Sequence, residues 1–391
     1  MSMLNEVRPA ESVKRDRSFK GRLKELLPWK GDDVKEIIRK LVYISAMCVL
    51  IYSFYGVYEY KFGSSDMHKN NDYLSNLYNQ GDDEPDDNAV QPVVTAAPDD
   101  VDVPNVSGSE NPDDAAQTQT DEPVNPEDLI LPKIRSIYDL NHDTIGWLTI
   151  DGLTDDKGGN YIDYPVMQCG DNDYYLSHDF YKKEKKYGAL FVDCHVKITY
   201  NSGPRNTIIY GHNMGSGSFF AHLHDYKKRV SFVSEHRFVT FNTLWEENDY
   251  IIIGCFLTGI KEEQDNIPIF RYHVAFDFED NTDFIEWYAN VMYRSYYTSD
   301  IPCSIDDEYL TLSTCSTEIY DSRFVVVARK LRPDEKANQN EKAKQYNYYS
   351  NPDARKPAAF YEAYGMKVPD DKGPDYDYYK DILSQMEGNE N

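Results

Sequence analysis

Tyr309-Leu-Thr-Leu-Ser-Thr-Cys315-Ser-Thr-Glu-Ile-Tyr-Asp-Ser-Arg323-Phe-Val-Val-Val-Ala-Arg329 is the stretch on which the fold and the chemistry turn. Two β-patterned runs flank a short polar segment, the pattern of a hairpin. With its turn centred near Ile319, Cys315 and Arg323 are equidistant from the turn and face each other across an antiparallel ladder, Cβ atoms roughly 4.5–5.5 Å apart. A guanidinium beside a thiol favours the thiolate, the form that attacks carbonyls. Arg329 competes for that place, but it lies further along the strand by about 20 Å. The hairpin geometry therefore selects Arg323.

Outward from this hairpin, short strand-like runs recur between turns. They are Gly146–Ile150, Tyr164–Met167, Ala189–Asp193, Thr207–Tyr210, Phe238–Phe241, Tyr250–Leu257, Leu310–Cys315 and Phe324–Ala328. So many short strands in one domain predict a mostly β fold with accessory helices, a closed or nearly closed barrel in place of an alternating βαβ sheet. Helical spacing of Ile130, Ile134, Ile137, Tyr138 and Leu140 opens the folded region near Leu129, and two helical insertions are expected at Ser218–Tyr226 and Asp280–Tyr296. The apolar stripe of the second, Phe284, Trp287, Tyr288, Val291 and Met292, reads as packing.

The outer parts of the chain differ in texture. Of 391 residues, 67 are Asp or Glu and 41 Lys or Arg, a net charge of -26, which argues against a nucleic-acid partner. Basic residues crowd residues 1–40, whereas Gly81 to Asp128 carries no Lys or Arg. Between them Leu41–Tyr58 holds no charged residue and reads as a single-pass membrane helix. A cleaved signal peptide is the alternative, but Glu59-Tyr60-Lys61 follows where a small-residue cleavage site would stand. Arg39 and Lys40 put the N-terminus in the cytoplasm and everything beyond the helix outside the cell. Residues 59–128 then form an acidic, largely disordered spacer, of which Glu59 to Asn79 keeps a mixed polar and apolar character that can extend the anchor helix; 129–332 is the folded domain, and 333–391 a Tyr-rich charged tail for which disorder with local docking is expected.

The cysteines are widely spaced and form no disulfide framework. Cys169, Cys194, Cys255 and Cys303 are expected as small buried side chains. Neither CxxC nor HExxH occurs and Cys194-His195 is too little for a metal, so neither metal nor cofactor is expected. A thiol nucleophile needs a proton-transfer partner, and histidine suits it. His212 stands out at the end of the run Thr207-Ile-Ile-Tyr-Gly211, before the loop Asn213-Met-Gly-Ser-Gly217, a strand end where catalytic groups concentrate. His222 and His224 follow on the short helix and read as surface or packing residues; His178, His195, His236 and His273 have no comparable context.

These segments carry a resemblance. Thr207-Ile-Ile-Tyr-Gly-His212-Asn-Met, Leu310-Thr-Leu-Ser-Thr-Cys315 and Arg323-Phe-Val-Val-Val-Ala resemble the three signature regions of sortases, membrane-anchored cysteine transpeptidases of Gram-positive surfaces. Leu140-Asn-His-Asp-Thr-Ile-Gly-Trp147, Ile162-Asp-Tyr-Pro-Val166, Asp171-Asn-Asp-Tyr-Tyr-Leu176, Gly188-Ala-Leu-Phe-Val-Asp193 and the long insertion between Gly259 and Tyr309 are similar to class B. The resemblance spans about Leu129 to Arg332; spacer and tail lie outside the family's core pattern. It implies an eight-stranded sortase-type β-barrel preceded by a transmembrane helix, with His212, Cys315 and Arg323 as a catalytic triad. It further implies cleavage of an Asn-Pro-x-Thr sorting signal after Thr and transfer to an amine of peptidoglycan or of a pilin. Its implied substrate contacts are Asn172, Leu176 and Ser313, which read equally as a turn-capping Asn, a core Leu and a strand Ser. A membrane-tethered cysteine hydrolase and a non-catalytic surface module on the same barrel are the competing readings.

Overall fold

A computed structural model describes residues 26–81, 124–154 and 160–388. The expected spacer lies mostly outside the described residues, as does the basic segment before Leu26. The chain divides into two units, residues 1–71 and 72–391. Helix α1 (Val34–Asn79) has its residues 34–71 in the first unit and 72–79 in the second; it begins at a capped turn, where Asp33 Oδ1 accepts from Glu36 N at 2.8 Å. Its segment Val34–Phe54 is, among the described residues, the one helical stretch long and apolar enough to cross a membrane. Leu41, Val42, Val49, Leu50, Ile51 and Phe54 are all exposed on it. The helix reaches Asn79, so residues 59–79 extend it, as their mixed polar and apolar character suggests.

The second unit is built on eight strands closed into a barrel. In chain order β1 (Thr144–Thr149), β2 (Asp163–Met167), β3 (Leu190–Val192), β4 (Asn206–Tyr210), β5 (Phe238–Thr243), β6 (Asp249–Gly259), β8 (Tyr309–Ser316) and β9 (Ser322–Lys330) are joined around the barrel as β1-β2-β3-β4-β8-β9-β6-β5. Each predicted strand run falls on one of these. The β2–β3 and β4–β8 pairs are parallel and the others antiparallel.

Alternation explains only part of the burial. Nearly every residue of β6, β8 and β9 is buried. A half-exposed strand buries every second residue; here both faces are covered. The 3-10 helix Phe220–Lys227 packs outside β6, β8 and β9, and α5 (Asn281–Arg294) lies on β6. Gly254, at a bulge in β6, permits the second contact, since a Cβ there would stand 2.9 Å from Ser295 Oγ. The stripe read from the sequence, Phe284, Trp287, Tyr288, Val291 and Met292, is the buried face of α5.

The short helix α2 (Pro132–Leu140) leads into β1 and buries Ile134 and Ile137. On β1, Trp147 is fully buried, stacked on Tyr78 at 4.4 Å, and its Nε1–H donates to Asp163 Oδ1 at 2.6 Å. Helices α3 (Tyr174–Ser177) and α4 (Val230–Glu235) punctuate the connections before β3 and β5.

Two expectations need correction. The tail is folded: α6 (Pro333–Asn340), β10 (Tyr348–Ser350, paired with β7, Tyr297–Ser299), α7 (Ala358–Ala363) and α8 (Tyr376–Gly388) follow the barrel. Its charge misleads, because Tyr348, Ala354, Tyr361 and Leu383 are buried and Arg355 is sunk between Asp265 at 2.7 Å and Asp371 at 3.1 Å. Tyrosine rings bury like hydrocarbon once their hydroxyls find partners. Cys255 and Cys303 are buried as expected, but Cys169 and Cys194 are only half-buried beyond the ends of β2 and β3.

Candidate active site

Register assembles the candidate residues. Cys315 and Arg323 are opposite one another in the β8–β9 ladder. In the parallel β4–β8 pair Tyr210 stands opposite Ser313, and β4 ends there, two residues before His212. The rung shared by β8 and β9 thus holds Cys315 and Arg323, and His212 lies just past the end of the neighbouring β4. Gly211 N donates to Ser313 O at 3.1 Å and Thr314 Oγ1 donates to Gly211 O at 2.7 Å, fixing the strand immediately before His212.

Cys315 is the one exposed position of β8, whose other residues are all buried, and its thiol is free. Burial pushes the Cys255 and Cys303 thiols up to about 12, which makes them inert at neutral pH. Arg323 is half-buried, with Nη1 donating to Ser322 O at 3.1 Å. Arg329, the rejected candidate, is fully buried and forks onto Glu335 at 2.9 and 2.6 Å. His212 Nε2 stands 2.8 Å from Leu176 O; a carbonyl only accepts, so this nitrogen carries the proton.

Two glycines make that placement feasible. A Cβ on Gly211 would come within 2.4 Å of Leu190 and 2.7 Å of Phe220, so only glycine fits between them beside His212. Gly188 has φ +58° and a Cβ there would stand 2.3 Å from Tyr175 O and 2.9 Å from Leu176 O. The chain entering β3 can therefore press against α3, which presents the Leu176 carbonyl to the histidine.

Of the other expected site residues, Leu176 has a side chain 42% exposed. Ser313 is buried, its hydroxyl 2.7 Å from Tyr272 OH. Asn172 is engaged at both ends, donating from Nδ2 to Asp193 Oδ2 at 3.0 Å and accepting at Oδ1 from Cys194 N at 2.8 Å. The long insertion supplies groups that the sequence did not mark. Burial pushes the Tyr272 hydroxyl up to about 12, with Ser313, Arg323 and Cys315 as its polar neighbours. Burial also lowers His273 below the ordinary histidine range, with Asp193, Arg271 and Arg323 around it. Nothing local in the sequence ties Tyr272 to Ser313 and Cys315 or His273 to Arg323; the packing of the insertion near β8 and β9 brings them there.

Among the described residues one grouping is of metal-ligating type, Asp193, Cys194 and His195. Its carboxylate is already occupied. Oδ1 accepts from His195 N and ring Nδ1 at 2.9 Å, and Oδ2 from Tyr210 OH at 2.8 Å and Asn172 Nδ2 at 3.0 Å. With four donors on two oxygens, Asp193 serves as an internal hub and has no lone pair left for an ion.

No family model matches the chain. Among proteins of known function it is similar to sortase B of Listeria monocytogenes, 34% identical over 219 residues, 56% of this chain and 79% of that protein. Sortase B of Staphylococcus aureus is 26% identical over 208 residues, 53% of this chain and 78% of that protein. Among solved structures, a Staphylococcus aureus sortase B-substrate complex is 27% identical, covering 52% of this chain and 87% of the other at a TM-score of 0.45. Identity of 34% across 79% of the Listeria protein, joined to a closed barrel with an exposed thiol in its wall, establishes that the chain belongs to the sortase family as a class B-like cysteine transpeptidase.

Proposed function

We propose that this transpeptidase cleaves an Asn-Pro-x-Thr sorting signal after Thr and transfers the new carboxyl end to an amino group, with Cys315, His212 and Arg323 as its catalytic residues. The observation that carries the reading is the exposure of Cys315 alone on an otherwise buried strand, opposite Arg323 in the ladder and beside the strand whose end leads into His212. In the first half-reaction the Cys315 sulfur forms a bond to the Thr carbonyl carbon. The C–N bond breaks as His212 gives a proton to the leaving amine. Arg323 donates charge-assisted hydrogen bonds to the carbonyl oxygen as it gains negative charge. In the second half-reaction an incoming amine attacks the thioester, His212 takes its proton, and the thiolate leaves. One amide bond is made for the one broken, so neither ATP nor a metal is required.

The substrate contacts are those that the class B resemblance implies. Leu176 lines the signal pocket with its exposed side chain, while Ser313, buried with its hydroxyl on Tyr272 OH, supports the pocket from beneath the polar end of the signal. Asn172 shapes the pocket by holding Asp193, and through it Tyr210. Peptidoglycan or a pilin supplies the amine. Supported by the apolar stretch of α1, we place the enzyme as a single-pass membrane protein with its N-terminus in the cytoplasm and its barrel outside.

Incubating the protein with a sorting-signal peptide and triglycine tests the reading. Expected are a ligated peptide, a Cys315 acyl adduct by mass spectrometry, and complete loss of both in Cys315→Ala. Cleavage indifferent to the amine, with no ligated product, would instead identify a hydrolase. Wild-type function in Cys315→Ala would identify a non-catalytic module.

A further inference from the structure

The parallel ladder between β4 and β8 stops one rung too early for the nucleophile. Its last backbone bond runs from Gly211 N to Ser313 O at 3.1 Å. Alternation along a parallel pair would next bring the N–H of residue 213 to Cys315 O. The chain instead turns out of the sheet, with Asn213 bridged to Phe219 and Phe220 N donating to His212 O at 3.0 Å. That departure frees His212 from strand geometry, and it leaves the Cys315 carbonyl without its backbone donor.

Two side chains occupy the vacated place. Asn213 Nδ2 and His224 Nε2 each stand 3.1 Å from Cys315 O. They lie 3.2 Å from each other, and since both face one acceptor, both are donors. His224 Nε2 must then carry the ring proton, which leaves Nδ1 to accept from Lys227 Nζ at 3.2 Å. Burial, and then the Lys227 charge, hold His224 below the ordinary histidine range, in keeping with a neutral ring. The ring stacks on Phe324 at 4.7 Å. Lys227 also pairs with Glu318, which sits in the turn joining Cys315 to Arg323. The circuit therefore closes on the same hairpin it supports.

We propose that His224 is a positioning residue whose Nε2–H, with the Asn213 amide, replaces the missing backbone rung and holds the Cys315 strand end in line with His212 and Arg323. The proposal rests on Cys315 being the nucleophile. The test uses the full-length protein with two substitutions: His224→Phe, which keeps a ring against Phe324 but has no donor, and His224→Gln, which keeps an N–H. Peptide acylation kinetics and the rate of Cys315 alkylation by iodoacetamide are measured for each.

Expected for His224→Phe is a kcat lower by about tenfold or more, as small misplacements of reacting groups produce, with KM within about twofold of wild type and an altered alkylation rate. His224→Gln should recover most of the loss. A His224→Phe enzyme with wild-type kcat, or a His224→Gln enzyme as impaired as His224→Phe, overturns the proposal. Should His224→Phe fail to fold, Asn213→Leu removes the other donor from a half-exposed loop and carries the same expectation. Failure of the transpeptidase reading is distinguishable, because it shows in the unmodified protein as the absence of a Cys315 acyl adduct, and it would remove the basis of this proposal as well.

Discussion

Cys315 is set apart from the other thiols by access and by its neighbour. Cys255 and Cys303 lie in the core, where burial pushes both up to about 12, while Cys315 meets solvent beside the only arginine in its ladder position. The alternative, Arg329, is committed to Glu335 inside the barrel wall. If Arg323 acts as a forked donor to the carbonyl oxygen, a lysine cannot stand in, because a compact ammonium lacks the planar pair of N–H groups. Arg323→Lys should lower kcat by about 10²–10³, the range for loss of an oxyanion donor. Steady-state peptide ligation checks this, with KM expected to move much less than kcat.

Among the elements, the β4–β8–β9 trio does most to define the site. Antiparallel pairing of β8 with β9 puts Cys315 opposite Arg323, and parallel pairing of β4 with β8 brings the strand end before His212 alongside, from far earlier in the chain. The short helix α3 completes the arrangement by offering Leu176 O to His212. Its approach depends on Gly188, where any side chain meets two carbonyls and the backbone sits at φ +58°. Gly188→Ala should destabilise the fold by about 1–3 kcal/mol through backbone strain and a forced shift of α3. Thermal or urea denaturation measures the first effect. A fall in ligation rate at temperatures where the variant is still folded measures the second.

Across the whole barrel domain, the tail and the long insertion act as one structural shell. Arg355 Nη2 donates to Asp265 at 2.7 Å in the insertion, Nε donates to Asp371 further along the tail, and Asn266 Nδ2 reaches Pro369 O at 3.3 Å. The same insertion grips the Cys315–Arg323 hairpin, since Gln264 Nε2 donates to Tyr320 O at 2.6 Å and Lys261 pairs with Asp321 at 2.7 Å. Arg355→Ala strands Asp265, only 4% exposed, and should cost about 3–5 kcal/mol as a broken buried pair. Equilibrium denaturation checks the loss, and a wild-type midpoint would show that the tail adds no stability.

A second anchor of the tail is the Arg329–Glu335 fork. Burial pushes the Glu335 carboxyl up, but the Arg329 hydrogen bonds and charge, with help from Arg332 N and Tyr346, outweigh it and hold the group below its ordinary 4.5. A carboxyl depressed in the folded state stabilises fully above its unfolded value, and that contribution is lost as pH falls through the folded value. Melting temperature should therefore decline below about pH 4.5, and Glu335→Gln should be less stable at neutral pH but show a shallower acid decline. An unchanged acid slope in the variant would refute this assignment.

The sequence by itself determined the barrel strands and the Cys315–Arg323 pairing, because alternation and turn spacing are local and a hairpin's register follows from its turn. It also marked His212, since a histidine closing an apolar strand before a glycine-rich loop is a local signal. Only the tertiary structure brings Tyr272, His273 and His224 near Cys315 or Arg323, from the insertion after β6 and the 3-10 helix after β4, across long stretches of chain. It also decided the state of the tail, whose composition resembles a solvated linker residue by residue. Burial belongs to a surface and its counterpart together, and a tail's counterpart here is an insertion that chain order does not place beside it.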